Sequence, residues 1–192
     1  MKNPKLKFLN KATSETKVSL GMGALVIKGY RVQFELEEVP SEGNLKCSNS
    51  KIKNPALPIE EQEVLLELRA DCGLWSCPGG GLIPGENIED CVKREVKEET
   101  NIDITVDNLF SVYSDPKIGC VRHYLEDDFP QQMIDIFLIG LPTSHKIIKS
   151  EESLGVKYFK FKDVPDNLVP TASRAIKDYM SIYRLKKKAI LR

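Results

Sequence analysis

The sequence predicts an α/β fold in which a mixed β-sheet packs between helical layers. Two patterns carry that expectation: short apolar or alternating runs that read as strands are scattered along the chain, and two stretches with three-and-four spacing read as helices among them. Size and composition agree. A chain of 192 residues, 41% hydrophobic and 29% charged, buries roughly 70% of its unfolded surface on folding, enough for one core without disulfides or metals to staple it. The expected organisation is a polar arm over residues 1–19 and a single domain over 20–192, with a surface insertion at about 40–62.

The elements follow in order. Residues 1–19 hold no apolar periodicity for more than a turn and read as a loosely held arm. Ala24 to Ile27 is a short apolar run. Lys28-Gly29 is a turn signal, and Val32, Phe34 and Leu36 then alternate with polar residues, so a two-stranded hairpin is expected. Pro40, Pro55 and Pro58 stand among Ser, Asn, Lys and Glu, which makes 40–62 a surface excursion. Val64 to Leu68 reads as a buried strand. Cys77-Pro78-Gly79-Gly80-Gly81, followed by Pro84-Gly85, reads as a loop without regular structure. Asn87 can cap a helix, with Asp90 three residues on, and helical spacing then runs to Thr100-Asn101. Beyond it, 102–106, 109–113, 133–141 and 156–161 read as strands, and 172–187 as an amphipathic helix capped by Thr171.

Charge and cysteine usage narrow the function classes. Lys plus Arg and Asp plus Glu both number 28, so the chain has no excess charge with which to neutralise many phosphates, which argues against nucleic acid as partner. No apolar stretch approaches the ~20 residues of a membrane span, and the basic start is followed by polar residues, so no membrane partner and a cytoplasmic location are expected. Five irregularly spaced cysteines form neither a disulfide framework nor a C-x-x-C zinc pair. With only His123 and His145 present, histidine chemistry has little material.

One constellation stands out. On a helix, residues three and four apart share a face, so Glu95, Glu98 and Glu99 present three carboxylates to one small volume. Arg94 and Lys97 offer partial compensation, and a solvated charged face is the ordinary explanation of such a helix. Three facts oppose it here: a glycine-rich loop that can offer carbonyl oxygens enters the helix, Glu86 ends that loop, and the cluster lies near the helix C-terminus, where the dipole disfavours negative charge. A hard divalent cation would relieve the repulsion.

Gly80, then five residues, Glu86, then seven residues, and Arg94-Glu95-Val96-Lys97-Glu98-Glu99-Thr100-Asn101-Ile102 resembles the signature of the Nudix hydrolases, with Asn101 in place of the second glycine. Asn is the next best residue for a left-handed helix end, so the departure spares the carboxylates. The resemblance extends through Val64-Leu65-Leu66, Leu74-Trp75, Tyr158-Phe159 and Val164-Pro165. It implies a Nudix-type α/β/α sandwich and hydrolysis of a nucleoside diphosphate linked to a group X. It also implies a site in which Glu95, Glu98, Glu99 and the Gly80 carbonyl hold Mg²⁺, with Mn²⁺ as an alternative, while Arg94 and Glu86 orient the cluster. Glu152, with Glu151 as rival, is the candidate for a further acidic ligand or base from a late loop. Pro116, fifteen residues past Asn101, is placed like a proline of the family's ADP-ribose pyrophosphatases. The expected partner is therefore a small nucleoside diphosphate derivative such as ADP-ribose or a related nucleotide sugar. The alternatives are a nucleoside triphosphate pyrophosphohydrolase and a non-catalytic nucleotide-sensing module; a homodimer is compatible with the sequence. Trp75 and Tyr113 are more often core than base-stacking, Cys77 and Cys91 read as small buried hydrophobes, and the basic end from Arg184 to Arg192 reads as a solvated helix end.

Overall fold

A computed structural model describes residues 5–30, 57–185 and 190–191. In chain order the elements are β1 (Leu6–Leu9), β2 (Lys17–Lys28), β3 (Glu63–Arg69), β4 (Trp75–Ser76), β5 (Gly79–Gly81), α1 (Ile88–Thr100), β6 (Ile104–Tyr113), β7 (Val121–Tyr124), β8 (Gln131–Pro142), β9 (Ser153–Lys160), α2 (Pro170–Leu185) and β10 (Ile190–Leu191).

The long strands are buried on both faces, and their two-residue period sorts the side chains between two cores. Leu25 and Ile27 of β2, Val64 and Leu66 of β3, and Phe137 and Ile139 of β8 face one cluster, which Ala172, Ala175, Ile176 and Tyr179 of α2 complete. Met22, Ala24 and Val26, Leu65, and Leu138 face the other, closed by Cys91, Val92 and Val96 of α1. One helix therefore covers each face of the sheet. This is the expected α/β/α sandwich, built because a strand whose odd and even residues are all apolar needs a partner layer on each side.

The sheet is mixed. β2 and β8 run parallel from Lys17↔Gln131 to Val26↔Gly140. On its other side β2 pairs antiparallel with β5 through Gly21–Gly23 and with β3 through Ile27 and Lys28. β9 extends β3, β6 and β7 flank β8, and β10 joins β6 in parallel.

Several expectations need correction. The N-terminal segment is no loose arm: Leu6 to Leu9 pair with Val121 to Tyr124, and Leu6 is buried. Its alternating apolar residues are too few to show a period, and the pairing partner lies far along the chain. Gly79–Gly81 is a short strand, because β2 offers glycine-lined backbone close enough for three residues to pair. The runs at 102–106 and 109–113 belong to one strand, β6, starting at Ile104 and broken by register shifts near Asn108 and Phe110. Phe161 falls in a 3₁₀ turn after β9. Thr171 lies inside α2, whose first residue is Pro170, suited to a helix start by its fixed φ. The strand predicted over Val32 to Leu36, most of the 40–62 excursion and the basic residues beyond Leu185, apart from β10, lie outside the described residues. The described end of the excursion is anchored, not solvated: Ile59 and Gln62 are buried, and Tyr179 Oη donates to Gln62 Oε1 at 2.6 Å. No helix among the described residues is long and apolar enough to cross a membrane.

Candidate active site

Helix α1 sets the site. Asn87 caps it by accepting from the Asp90 backbone N–H at 2.9 Å, a contact that typically contributes about 1 kcal/mol. Asn101 ends it at φ 60°, ψ 14°, in the left-handed region, with its N–H donated to Lys97 O. Its side-chain amide ties the end down by donating to Lys146 O at 2.8 Å. The helix thus starts and stops at residues able to do so, and its last two turns point at β5.

The contact between them is tight. A Cβ on Gly80 would lie 2.5 Å from Glu95 Oε1, so the carboxylate occupies the space that any other residue's side chain needs. Gly79 has φ 153° and its backbone runs so close to β2 that a Cβ would meet Met22 O at 2.0 Å. Its N–H donates to Glu99 Oε2 at 2.8 Å.

Arg94 is the hub. Its Nε and Nη2 donate to the two oxygens of Glu86 at 2.8 and 3.0 Å, Nη1 donates to Glu95 at 2.7 Å and to Glu98 at 3.1 Å, and Nη2 also reaches Gly81 O at 3.2 Å. Hydrogen bonding from Arg94 pulls the Glu86 carboxyl down to about 2. Lys97 turns away, to Asp103 at 2.9 Å. Arg94 thus compensates more of the cluster than its spacing alone suggests, and Lys97 less.

The carboxylates do not share one volume as their spacing predicts. Glu95 and Glu99 line a cleft of about 300 Å³, whereas the Glu98 side chain is 61% exposed and is held by Arg94 at the cluster's outer side. Among the described residues no three His, Cys, Asp or Glu side chains converge as a ready cation cage, because Arg94 draws Glu95 and Glu98 to itself.

Sequence reasoning missed Glu67 on β3. It is 2% exposed, accepts from Ser153 Oγ at 2.7 Å through one oxygen, and leaves the other, Oε1, buried without a hydrogen-bond partner. Burial, with the Glu67 charge next, pushes the Glu99 carboxyl well above the usual range, against the pull of the Gly79 N–H. Nothing in the run Val64 to Leu68 marks Glu67 as inward except its place in an otherwise buried strand.

Gly80, Glu95, Glu99 and the exposed Glu152 all line the cleft, and Glu151 is not among its lining residues. Arg122, Asp135 and Thr171 line it too, although nothing in their local sequence points to them. Tyr113 is buried and its hydroxyl donates to Asp178 at 3.0 Å, and Trp75 packs edge-on against Phe159 at 4.8 Å, so both serve the core. Cys77 and Cys91 are buried as expected.

The donor set suits a hard divalent cation. Carboxylate oxygens on a rigid helix face a backbone strand where only glycine fits, and behind them the buried Glu67 Oε1 has no hydrogen bond, with Arg69 Nη1 at 3.8 Å.

Comparison with known proteins agrees with this geometry. The NUDIX domain model matches residues 56–179, more than half of the chain. A Bacillus subtilis (strain 168) protein provisionally named 8-oxo-dGTP diphosphatase is 29% identical over 120 residues, 62% of this chain and 72% of that one. The ADP-ribose pyrophosphatase of Methanocaldococcus jannaschii is 30% identical over 108 residues, 56% of this chain and 58% of that protein. A NUDIX hydrolase of known crystal structure from Nitrosomonas europaea aligns with TM-score 0.60 at 18% identity over 92% of this chain and 81% of its own, which shows the shared fold. Members of the family are pyrophosphatases that act on phosphoric anhydrides, generally with divalent metals. With the domain model spanning β3 to α2 and the signature spacing seated on the strand and helix that form the cleft, the chain belongs to the Nudix hydrolase family.

Proposed function

We propose that the chain is a divalent-metal-dependent pyrophosphohydrolase that cleaves the diphosphate linkage of a nucleoside diphosphate joined to a group X, with ADP-ribose or a related nucleotide sugar as substrate class. The observation that carries the reading is the seating of α1 on β5, where the Glu95 carboxylate fills the place of a Gly80 side chain and Glu99 takes the Gly79 N–H. Glu95, Glu99, Glu98 and the Gly80 carbonyl are the groups that would hold Mg²⁺ or Mn²⁺; when bound, such ions neutralise diphosphate charge and lower the pKa of a water. Arg94, anchored by the two-pronged contact with Glu86, holds Glu95 and Glu98 in register with β5. Glu152, which lines the cleft, would be the acidic group that accepts a proton.

A second reading, hydrolysis of oxidised purine nucleoside triphosphates, draws support from the name of the Bacillus relative. Incubating the protein with Mg²⁺ and a panel of ADP-ribose, other nucleotide sugars and nucleoside triphosphates separates the two. ADP-ribose cleavage yields AMP and ribose 5-phosphate, and triphosphate cleavage yields a nucleoside monophosphate and pyrophosphate, both resolved by phosphorus NMR. The first pattern is expected; binding of the panel without any product would favour the sensing module.

A further inference from the structure

The cleft has a second polar centre, at its β8 end. Asp135 is 4% exposed and accepts from Arg122 Nη2, and the same nitrogen donates to Thr171 Oγ1 at 3.3 Å. Arg122 Nε is buried without a hydrogen-bond partner. A buried N–H left unpaired is costly, and because Arg122 lines the cleft, a small turn of its guanidinium would bring a donor to an acceptor on a ligand. The cleft lining also includes the apolar and aromatic residues Leu6, Phe8, Tyr124, Met133 and Phe137, together with Arg69. Glycine on β2 is what lets these side chains lie against the strand: a Cβ on Gly21 would lie 2.5 Å from Asp135 Oδ1, and one on Gly23 2.8 Å from Phe137 Cε1.

Register places this centre relative to the carboxylates. Asp135 pairs with Gly21, and Gly21 with Gly81. Two strand-to-strand steps put the Asp135 backbone about 10 Å from Gly81, the neighbour of Gly80. A second guanidinium, Arg69, also lines the cleft, but it is held by Asp71 through two hydrogen bonds, so two guanidiniums stand with two carboxylates and the centre carries no excess charge to favour an anion. An uncharged flat group with a hydrogen-bond acceptor beside an N–H donor fits such walls and such a pair.

We propose that Arg122 and Asp135 read the nucleobase of the substrate, the Arg122 guanidinium donating to a ring nitrogen or carbonyl oxygen and Asp135 accepting from the adjacent ring N–H or exocyclic amine. Thr171 holds the guanidinium in place. The assignment rests on the pyrophosphohydrolase reading for the substrate class, with the diphosphate at Gly80 and Glu95 and the base at the far end.

The test measures kcat/KM with Mg²⁺ on ADP-ribose, GDP-mannose, UDP-glucose and CDP-choline, for the parent and for Asp135→Asn, which keeps shape while replacing an acceptor oxygen by a donor. The parent is expected to favour one base by about tenfold or more, and Asp135→Asn to compress or reverse that ratio by about tenfold, the discrimination that one good base contact supplies. A ratio within about twofold of the parent's in the folded variant would overturn the proposal. Should Asp135→Asn not fold, Thr171→Val leaves the ion pair intact and is measured in the same way; a shift in the ratio of about threefold is expected, and an unchanged ratio overturns the proposal. Should the parent hydrolyse none of the panel, the pyrophosphohydrolase reading fails separately, and calorimetric binding of AMP, GMP, CMP and UMP without metal decides the base reader. Base-selective binding supports it and equal binding of all four overturns it.

Discussion

At the α1 end of the cleft one guanidinium, Arg94, donates to three carboxylates, with Glu99 and the buried Glu67 behind them. At the β8 end one guanidinium, Arg122, faces one carboxylate, Asp135. Both ends use arginine, and the difference lies in what is left over. Even with Arg69 standing 3.8 Å from Glu67, the first retains more carboxylates than guanidiniums, an excess that a proton on Glu99 or a bound cation can balance. The second is balanced and retains an unpaired N–H, which only a neutral acceptor can satisfy without leaving a buried charge uncompensated. A substrate that is anionic at one end, through bound metal, and heteroaromatic at the other matches both.

The largest expected effect breaks the first end. Glu95→Gln keeps shape and removes charge, and hydrolysis should fall by about 10² or more, as when one electrostatic group is lost from a reacting centre; initial rates at saturating substrate check it, and a loss smaller than threefold would remove Glu95 from the site. Next in size is stabilisation by metal. Ligand that binds only the native state adds about 2.7 kcal/mol at a hundredfold excess over Kd. Calorimetry should show Tm rising with Mg²⁺ in the parent and in Asp135→Asn, and rising less in Glu95→Gln; an equal rise in all three would place the cation elsewhere.

Smaller effects sharpen how the α1 end is held. Asn101 has φ 60°, so Asn101→Val should cost about 1–2 kcal/mol in urea melts and lower activity through the neighbouring Glu98 and Glu99. Asn101→Gly should stay within about 1 kcal/mol of the parent, since freedom from Cβ strain offsets the lost bond to Lys146 O. The smallest effect is on acid stability. Hydrogen bonding from Arg94 depresses the Glu86 carboxyl from its ordinary 4.5 to about 2. A depressed carboxyl stabilises the fold fully above its unfolded value and loses that contribution as pH falls through its folded value. Between pH 4.5 and 2, stability should therefore fall in the parent, and Glu86→Gln should show a shallower decline in urea melts taken across that window.

The same contrast explains what was legible in the sequence. The α1 end is local: Asn87, Glu86, Arg94, the three glutamates and Asn101 lie within one loop and helix, where fixed three-and-four spacing and capping chemistry translate directly into geometry. Glu67 meets Ser153 across 86 residues, and Arg122 meets Thr171 across 49. Strand alternation says only which face such a residue takes, and neither pairing partner nor register is visible until the sheet forms. β1 escaped for the same reason, since four residues with three apolar positions carry no period and their partner is β7. The glycines of β5 read as irregular because glycine disfavours strands in general. Here the close approach of β2 and of Glu95 makes glycine the residue that fits.

Titrating the protein with Mn²⁺ and following the free ion by electron paramagnetic resonance tests the central claim, that the excess carboxylates of the α1 end are a divalent-cation site. The account predicts saturable uptake by the parent, competed by Mg²⁺, preserved in Asp135→Asn and weakened about tenfold or more in Glu95→Gln, the scale at which loss of a supporting ligand acts on metal affinity. Equal Mn²⁺ uptake by the parent and Glu95→Gln would contradict it.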